Sequence, residues 1–276
     1  MAAMDRVERT AQGERKFLIG GSASRAISTW IVTLPKTALL AAIAMSPSFA
    51  WLFLTDGFQK AGREPFEAVV DLLLQTACSG ILSGMVIYVA FKRLMREPSS
   101  IGTAVATGMR RFVPLFVVGL ITGVLAALPL VGILLVDIDG ENAERAVMLA
   151  GLAGFAVIAT TVIVTMMFSA AAGAIVVESL GPLAAMKRSL VLTKGCRFKI
   201  FICLILVGII VAIVGALLLM IGGASLADLA DLSVATSILI TVLTTPLSST
   251  LSAVIYHDLR ATKEGVDVAE LSRVFN

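Results

Sequence analysis

The side chains best able to do chemistry fall in two short stretches. Tyr256-His257-Asp258-Leu259-Arg260 gathers a phenol, an imidazole, a carboxylate and a guanidinium within five positions. General acid–base work needs such groups to converge. Neighbours on a helix point about 100° apart, so the spacing predicts no easy His257–Asp258 pair and no catalytic role. His257 is the sole histidine, which rules out a multi-histidine metal site within one chain. The second stretch, GPLAAMKRSLVLTKGCRFKIF at 181–201, carries Lys187, Arg188, Lys194, Arg197 and Lys199 with no acid among them. Its cations suit phosphate, whether of lipid, nucleotide or nucleic acid. No aromatic platform for bases accompanies them, so no nucleic-acid partner is expected.

Other chemistries find little support. There is no P-loop, no GxGxxG after a strand, no GxSxG and no HExxH. Gly222-Gly223 reads as a helix end or loop. Cys78, Cys196 and Cys203 form no CxxC pair and read as small packing residues. No catalytic residue, metal or cofactor is expected, and the chain is read as a non-enzyme.

The elements that hold these residues follow from composition. Of 276 residues, 58% are hydrophobic, and the mean hydropathy is +0.97. A soluble domain is nearer ~45–50% apolar, so this chain has too little polar surface to coat a globule in water. Crossing a bilayer takes about 20 apolar residues. Six segments qualify: 37–55, 69–91, 113–136, 147–177, 199–222 and 233–256. Their unbroken apolar runs predict helices, not a barrel with period-two alternation. The fold class is thus all-α integral membrane, with a polar tail at 1–16, a membrane domain at 17–262 and a short tail at 263–276.

Charge sets the orientation. Nineteen of the 22 Lys and Arg fall on one side of these spans; Lys60, Arg63 and Arg145 fall on the other. That other side carries acids instead, among them Asp56, Glu64, Asp137, Glu141 and Asp231. The positive-inside rule places both termini in the cytoplasm. Asp71, Glu178 and Asp258 lie near span ends, where water is in reach. This argues against an ion-coupled pump.

An internal repeat also emerges. Gly20, Gly102 and Gly181 each open a short segment ahead of an odd-numbered span. In the first segment Ala23, Ala26, Ile27, Trp30, Ile31 and Leu34 share a face, with Ser24, Arg25, Ser28 and Thr29 opposite. In the second, Ile101, Ala104, Val105, Met109 and Phe112 align, with Arg110 behind. The third is poorer, with Leu183, Met186 and Leu190 aligned and Leu192 on the wrong side. Amphipathic segments of this kind lie in the interface, apolar face in the acyl region and cations among head groups, the alternative being a linker helix docked on the protein. The expected unit is an interfacial helix plus a two-span hairpin, repeated at about 17–98, 99–178 and 179–262. Its head-group contacts would be Arg25, Arg110, Arg111, Lys187, Arg188, Lys194, Arg197 and Lys199.

Hydroxyls inside spans 4 and 6 offer a softer signal. Thr160, Thr165, Thr245 and Ser249 could line an intramembrane polar pocket, with Pro246 freeing carbonyls nearby. The alternative is that these hydroxyls bond their own helices and that small residues permit close packing. Gly80/Gly84 and Gly119/Gly123 read as packing faces, within the chain or between protomers.

Three passages carry a resemblance: 176–201 (VVESLGPLAAMKRSLVLTKGCRFKIF), 101–120 (IGTAVATGMRRFVPLFVVGL) and 253–275 (AVIYHDLRATKEGVDVAELSRVF). Together they resemble the membrane domain attached to some bacterial glycerophosphodiester phosphodiesterases, which also occurs alone. The resemblance implies a six-helix bacterial inner-membrane domain. It implies no phosphodiesterase activity, because the fused relatives carry catalysis on a separate soluble barrel. His257 stands where that pattern more often has an aromatic. The expected function is a non-catalytic scaffold or accessory module touching anionic lipid head groups, with a protein partner or second copy left open. The alternatives are a transporter component for a small or amphipathic molecule and, last, an intramembrane lipid enzyme.

Overall fold

The computed structural model of the chain describes residues 19–55, 65–134, 143–221 and 234–264. The N-terminal tail, most of the C-terminal tail, Gly222-Gly223 and most of the expected acidic connections lie outside the described residues. Every element among the described residues is an α-helix. In order they are α1 (Ile19–Leu54), α2 (Pro65–Leu94), α3 (Ile101–Arg110), α4 (Phe112–Leu134), α5 (Ala143–Phe168), α6 (Ala171–Glu178), α7 (Pro182–Thr193), α8 (Arg197–Ile221) and α9 (Val234–Glu264). Six helical stretches are long and apolar enough to cross a membrane: α1, α2, α4, α5 with α6, α8 and α9.

Helices suit these sequences because lipid satisfies no backbone group; each N–H must find a carbonyl in its own segment. The bundle also turns a soluble protein's pattern outward. Ile31, Val32, Phe155, Ile209 and Ile213 are more than half exposed. The inward face of α1 instead carries Ser22, Ala26, Thr29, Thr33 and Thr37, all buried. Small and hydroxylated residues let helix backbones approach where apolar burial gives no drive against lipid. Thr29, expected on the outer polar face, therefore points in, and Ile31 and Val32 point out.

The first amphipathic segment is no separate helix. It runs unbroken into span 1 as α1, with Pro35 and Pro47 inside. Packing holds it upright: Ala26 sits in the main core, and Trp30 Nε1 donates to the Leu243 carbonyl at 3.2 Å. That carbonyl lies next to the one of Val242, which Pro246 leaves without its helical donor.

The second and third segments do form separate helices. α3 docks on α2 through buried Ala104 and Gly108 and leaves Ile101 and Met109 exposed. A Cβ at Gly108 would meet Met85 Cγ at 2.7 Å and the Ile81 carbonyl at 2.8 Å, so only glycine permits this approach. Gly84 faces Gly108 and Leu115, which makes the Gly80/Gly84 face a packing face within the chain. α7 buries Ala185, Met186, Ser189 and Leu192 and exposes Leu183. Leu192 is thus in the core, not on the wrong side, because α7 is turned to present Ser189 to its neighbours.

The C-terminal ends of α2, α6 and α9 converge at one end of the bundle. Phe91 of α2 stacks near Tyr256 and His257 of α9, with ring centroids 6.3 and 6.1 Å apart. The start of α1 and all of α7 join them there. This is the basic end.

Candidate functional site

Two features meet at the basic end: an ionic network and, beneath it, a cleft between helices. The network centres on Glu178, the last residue of α6. Its carboxylate takes hydrogen bonds from Arg188 Nη2 at 3.0 Å and Nε at 3.2 Å, and from the Tyr256 hydroxyl at 2.5 Å. Arg188 also pairs with Glu264. Arg260 closes the ring, 3.1 Å from Glu264 and 3.8 Å from Glu178. Burial disfavours the charged form of Arg188, but its hydrogen bonds to Glu178 and Glu264, and their charges, push its pKa above the ordinary value. Paired charges are tolerated in such half-buried places because each supplies the other's lost solvation.

A second knot ties α1 to α9. Asp258, 5% exposed, accepts from the Ser22 hydroxyl at 2.5 Å and from Arg25 Nη2 at 3.0 Å. Its other oxygen lies 3.2 Å from His257 Nδ1. The adjacent pair does meet, contrary to the helix-angle argument, with the His257 ring beside Phe91 of α2 and the Asp258 carboxylate held on α1. Asp258 is held inside, not left to reach water. Lys263 Nζ donates to the Val191 and Lys194 carbonyls at 2.8 and 2.6 Å, capping the end of α7.

The eight candidate head-group cations divide accordingly. Arg25 and Arg188 are committed to Asp258, Glu178 and Glu264, and Arg111 donates to the Ser179 hydroxyl. Arg110, Lys187, Lys194 and Arg197 are exposed, and Lys199 is half-buried. None of these five pairs with a carboxylate among the described residues. Exposed Leu183, Val191 and Phe198 stand beside them.

Span 4 is broken between α5 and α6, at Ser169-Ala170. A break orphans backbone groups, and inside a bundle each must be met. Ser189 of α7 meets two of them: its hydroxyl donates to the Met167 carbonyl at 2.8 Å and accepts from the Ala170 N–H at 3.3 Å. Ser252 of α9 donates to the Ser169 carbonyl at 2.6 Å.

This break floors a cleft of about 410 Å³ between the α4–α5 pair and the α8–α9 pair. Val118, Phe168, Leu204, Val207, Leu251 and Ile255 make its lining mainly apolar, and Thr165, Gly208 and Ser248 leave it open to the outside. Its volume lies within the ~300–1,000 Å³ common for small-molecule sites. A smaller cavity of about 150 Å³ between α2 and α4 shares Val118 and Ala172 with it.

Of the four residues expected to form one polar pocket, Thr165 alone lines this cleft. Thr160 bonds back to the Ala156 carbonyl at 2.8 Å, and Ser249 faces Ser83 of α2 at 3.2 Å. Thr245 lends its carbonyl to Ser249. On α9 the cleft is lined instead by Ser248 and Ser252, one turn apart and rotated from the Thr245/Ser249 pair. Sequence reasoning also passed over Glu178, Tyr256, Arg260 and Glu264 as partners. Glu178, nine residues before the KRS run, was the one local signal; Glu264 and Tyr256 lie far away in sequence. In comparisons with known proteins, no family model, no curated protein and no solved structure matches this chain.

Proposed function

We propose that this chain is a non-catalytic, multi-pass membrane module whose basic end docks on anionic lipid head groups, as scaffold or accessory to a membrane or lipid-related system. The observation that supports this most is the set of cations that pair with no carboxylate among the described residues: Arg110, Lys187, Lys194, Arg197 and Lys199, beside exposed Leu183, Val191 and Phe198. Cations next to apolar side chains at the end of a spanning bundle suit the boundary between head groups and acyl chains. Each Lys or Arg near an anionic leaflet contributes about 1 kcal/mol.

The finer assignments belong to the same proposal. They are the three-unit repeat, a bacterial inner membrane with cytoplasmic termini, and membership of the phosphodiesterase membrane-domain family suggested by 101–120, 176–201 and 253–275. A second reading, passage of a small or amphipathic molecule, draws support from the broken span beside the cleft; discontinuous spans often line transport sites.

The test is lipid analysis of the full chain purified from mixed phosphatidylglycerol–phosphatidylcholine membranes. Wild type should retain phosphatidylglycerol several-fold above its share. A K187E/K194E/R197E variant should lose that enrichment while keeping its melting curve. Equal retention by both proteins would remove the head-group reading.

A further inference from the structure

We infer that the cleft between the α4–α5 and α8–α9 pairs is a binding site for one hydrocarbon chain of a bilayer lipid, entering sideways from the membrane. The site goes beyond head-group docking and does not depend on it, since none of its lining residues is charged.

The occupant follows from the walls and from the mouth. Val118, Phe168, Leu204, Val207, Leu251 and Ile255 offer methyl, methylene and ring surface. The hydroxyls in the lining are mostly spent. Thr122 bonds the Val118 carbonyl at 2.8 Å, Ser169 the Met166 carbonyl at 3.2 Å and Ser252 the Ser169 carbonyl at 2.6 Å. Thr165 and Ser248 remain, too few to replace the hydration shell of an ion or a sugar. The cleft opens through its exposed lining residues Thr165, Gly208 and Ser248 onto spanning helices whose outward faces carry exposed Ile163, Ile205, Leu206 and Ile209. In a membrane span, what lies against such a surface is acyl chain. Lining atoms that face a void forgo dispersion partners, so an adjacent chain gains contact by moving in.

Gly208 marks the entrance. It is exposed, and a Cβ built there would meet nothing within 4 Å, so the wall of α8 is recessed where a chain would pass. α8 begins at Arg197, and Leu204 to Val211 line the cleft. At ~1.5 Å per residue, fourteen positions from Arg197 to Val211 span about 21 Å, the reach of a lipid tail whose head stays at the basic end.

The test uses the full chain in phosphatidylcholine vesicles doped with a phosphatidylcholine bearing a photoreactive diazirine along one acyl chain. The zwitterionic head group keeps the result separate from anionic docking. Illumination and peptide mapping should give adducts at Thr165, Gly208, Val211 and Ser248 as well as on outward Phe155 and Ile213. Gly208→Phe should cut the cleft adducts several-fold and leave those at Phe155 and Ile213 unchanged. Adducts confined to the outer face, or cleft adducts indifferent to Gly208→Phe, overturn the site. Where Gly208→Phe does not fold, Gly208→Leu serves the same comparison. In a second arm, Ser248→Cys should stay unreacted with a membrane-impermeant charged maleimide. Reaction would show water in the cleft and overturn a hydrocarbon occupant in favour of a polar solute path.

Discussion

Tyr256 and Gly173 show how one side chain depends on the absence of another. Tyr256 is fully buried, with its hydroxyl on Glu178. A Cβ at Gly173 would lie 2.6 Å from Tyr256 Cβ and Cγ. Alanine in a helix gains up to about 1 kcal/mol over glycine, but overpacking a tight core costs roughly 1–3 kcal/mol. Steric cost should win, and Gly173→Ala should lower the thermal midpoint in detergent; an unchanged midpoint would mean α6 and α9 can part freely. Tyr256→Phe keeps the ring and removes the hydrogen bond to a carboxylate, a change of about 1.5–3 kcal/mol. Denaturation should show a loss of that size, whereas a loss under about 0.5 kcal/mol would mean that Arg188 alone satisfies Glu178. Neither this bond nor the Ser22–Asp258 bond was legible in the sequence. Tyr256 and Glu178 are 78 positions apart, and Ser22 and Asp258 are 236 apart. Apolar periodicity places helices but says nothing about which charge meets which. The KRS run showed its cations; which of them pair among the described residues depended on acids brought in from α6 and α9.

Among the elements, the broken span is the most informative. The spans themselves were legible, because twenty-odd apolar residues without charge have few other fates. The break was not: MFSAAAGAI at 167–175 has no proline, and alanine favours helix. What permits it is tertiary, namely Ser189 on one side and Ser252 on the other. Hence Ser189→Ala should cost about 1–3 kcal/mol by leaving the Met167 carbonyl and Ala170 N–H unmet. It should also raise hydrogen exchange in 182–193, the helix that Ser189 anchors. Thr160→Ala is the control, since that hydroxyl bonds only its own helix at Ala156 and should change stability by less than about 0.5 kcal/mol. Equal effects from the two variants would deny Ser189 its role at the break. The continuity of α1 teaches the same lesson in reverse. Its first half has an amphipathic pattern fit for an interface, yet packing on α9 through Ala26 and Trp30 carries it into the bundle.

For the whole molecule, span count and charge make separate statements that one experiment can separate. Six spans return the chain to the side on which it began. The described contacts agree, since Ser22 and Arg25 near the start of α1 meet Asp258 near the end of α9. The side itself is a matter of charge: in the sequence, nineteen of 22 cations flank the six apolar segments on one side, and translocating them is unfavourable. Reporters fused to each terminus, one active only in the cytoplasm and one only beyond the membrane, resolve both. Cytoplasmic signals from both termini are the expected result. Signals from opposite sides would mean an odd number of crossings, with one of the six apolar helices lying in the interface. External signals from both would keep the six crossings and reverse the bundle, placing Lys187, Lys194 and Arg197 against the outer leaflet. The head-group proposal would then need its anionic lipid there, while the hydrocarbon cleft, which carries no charge, would stand in either orientation.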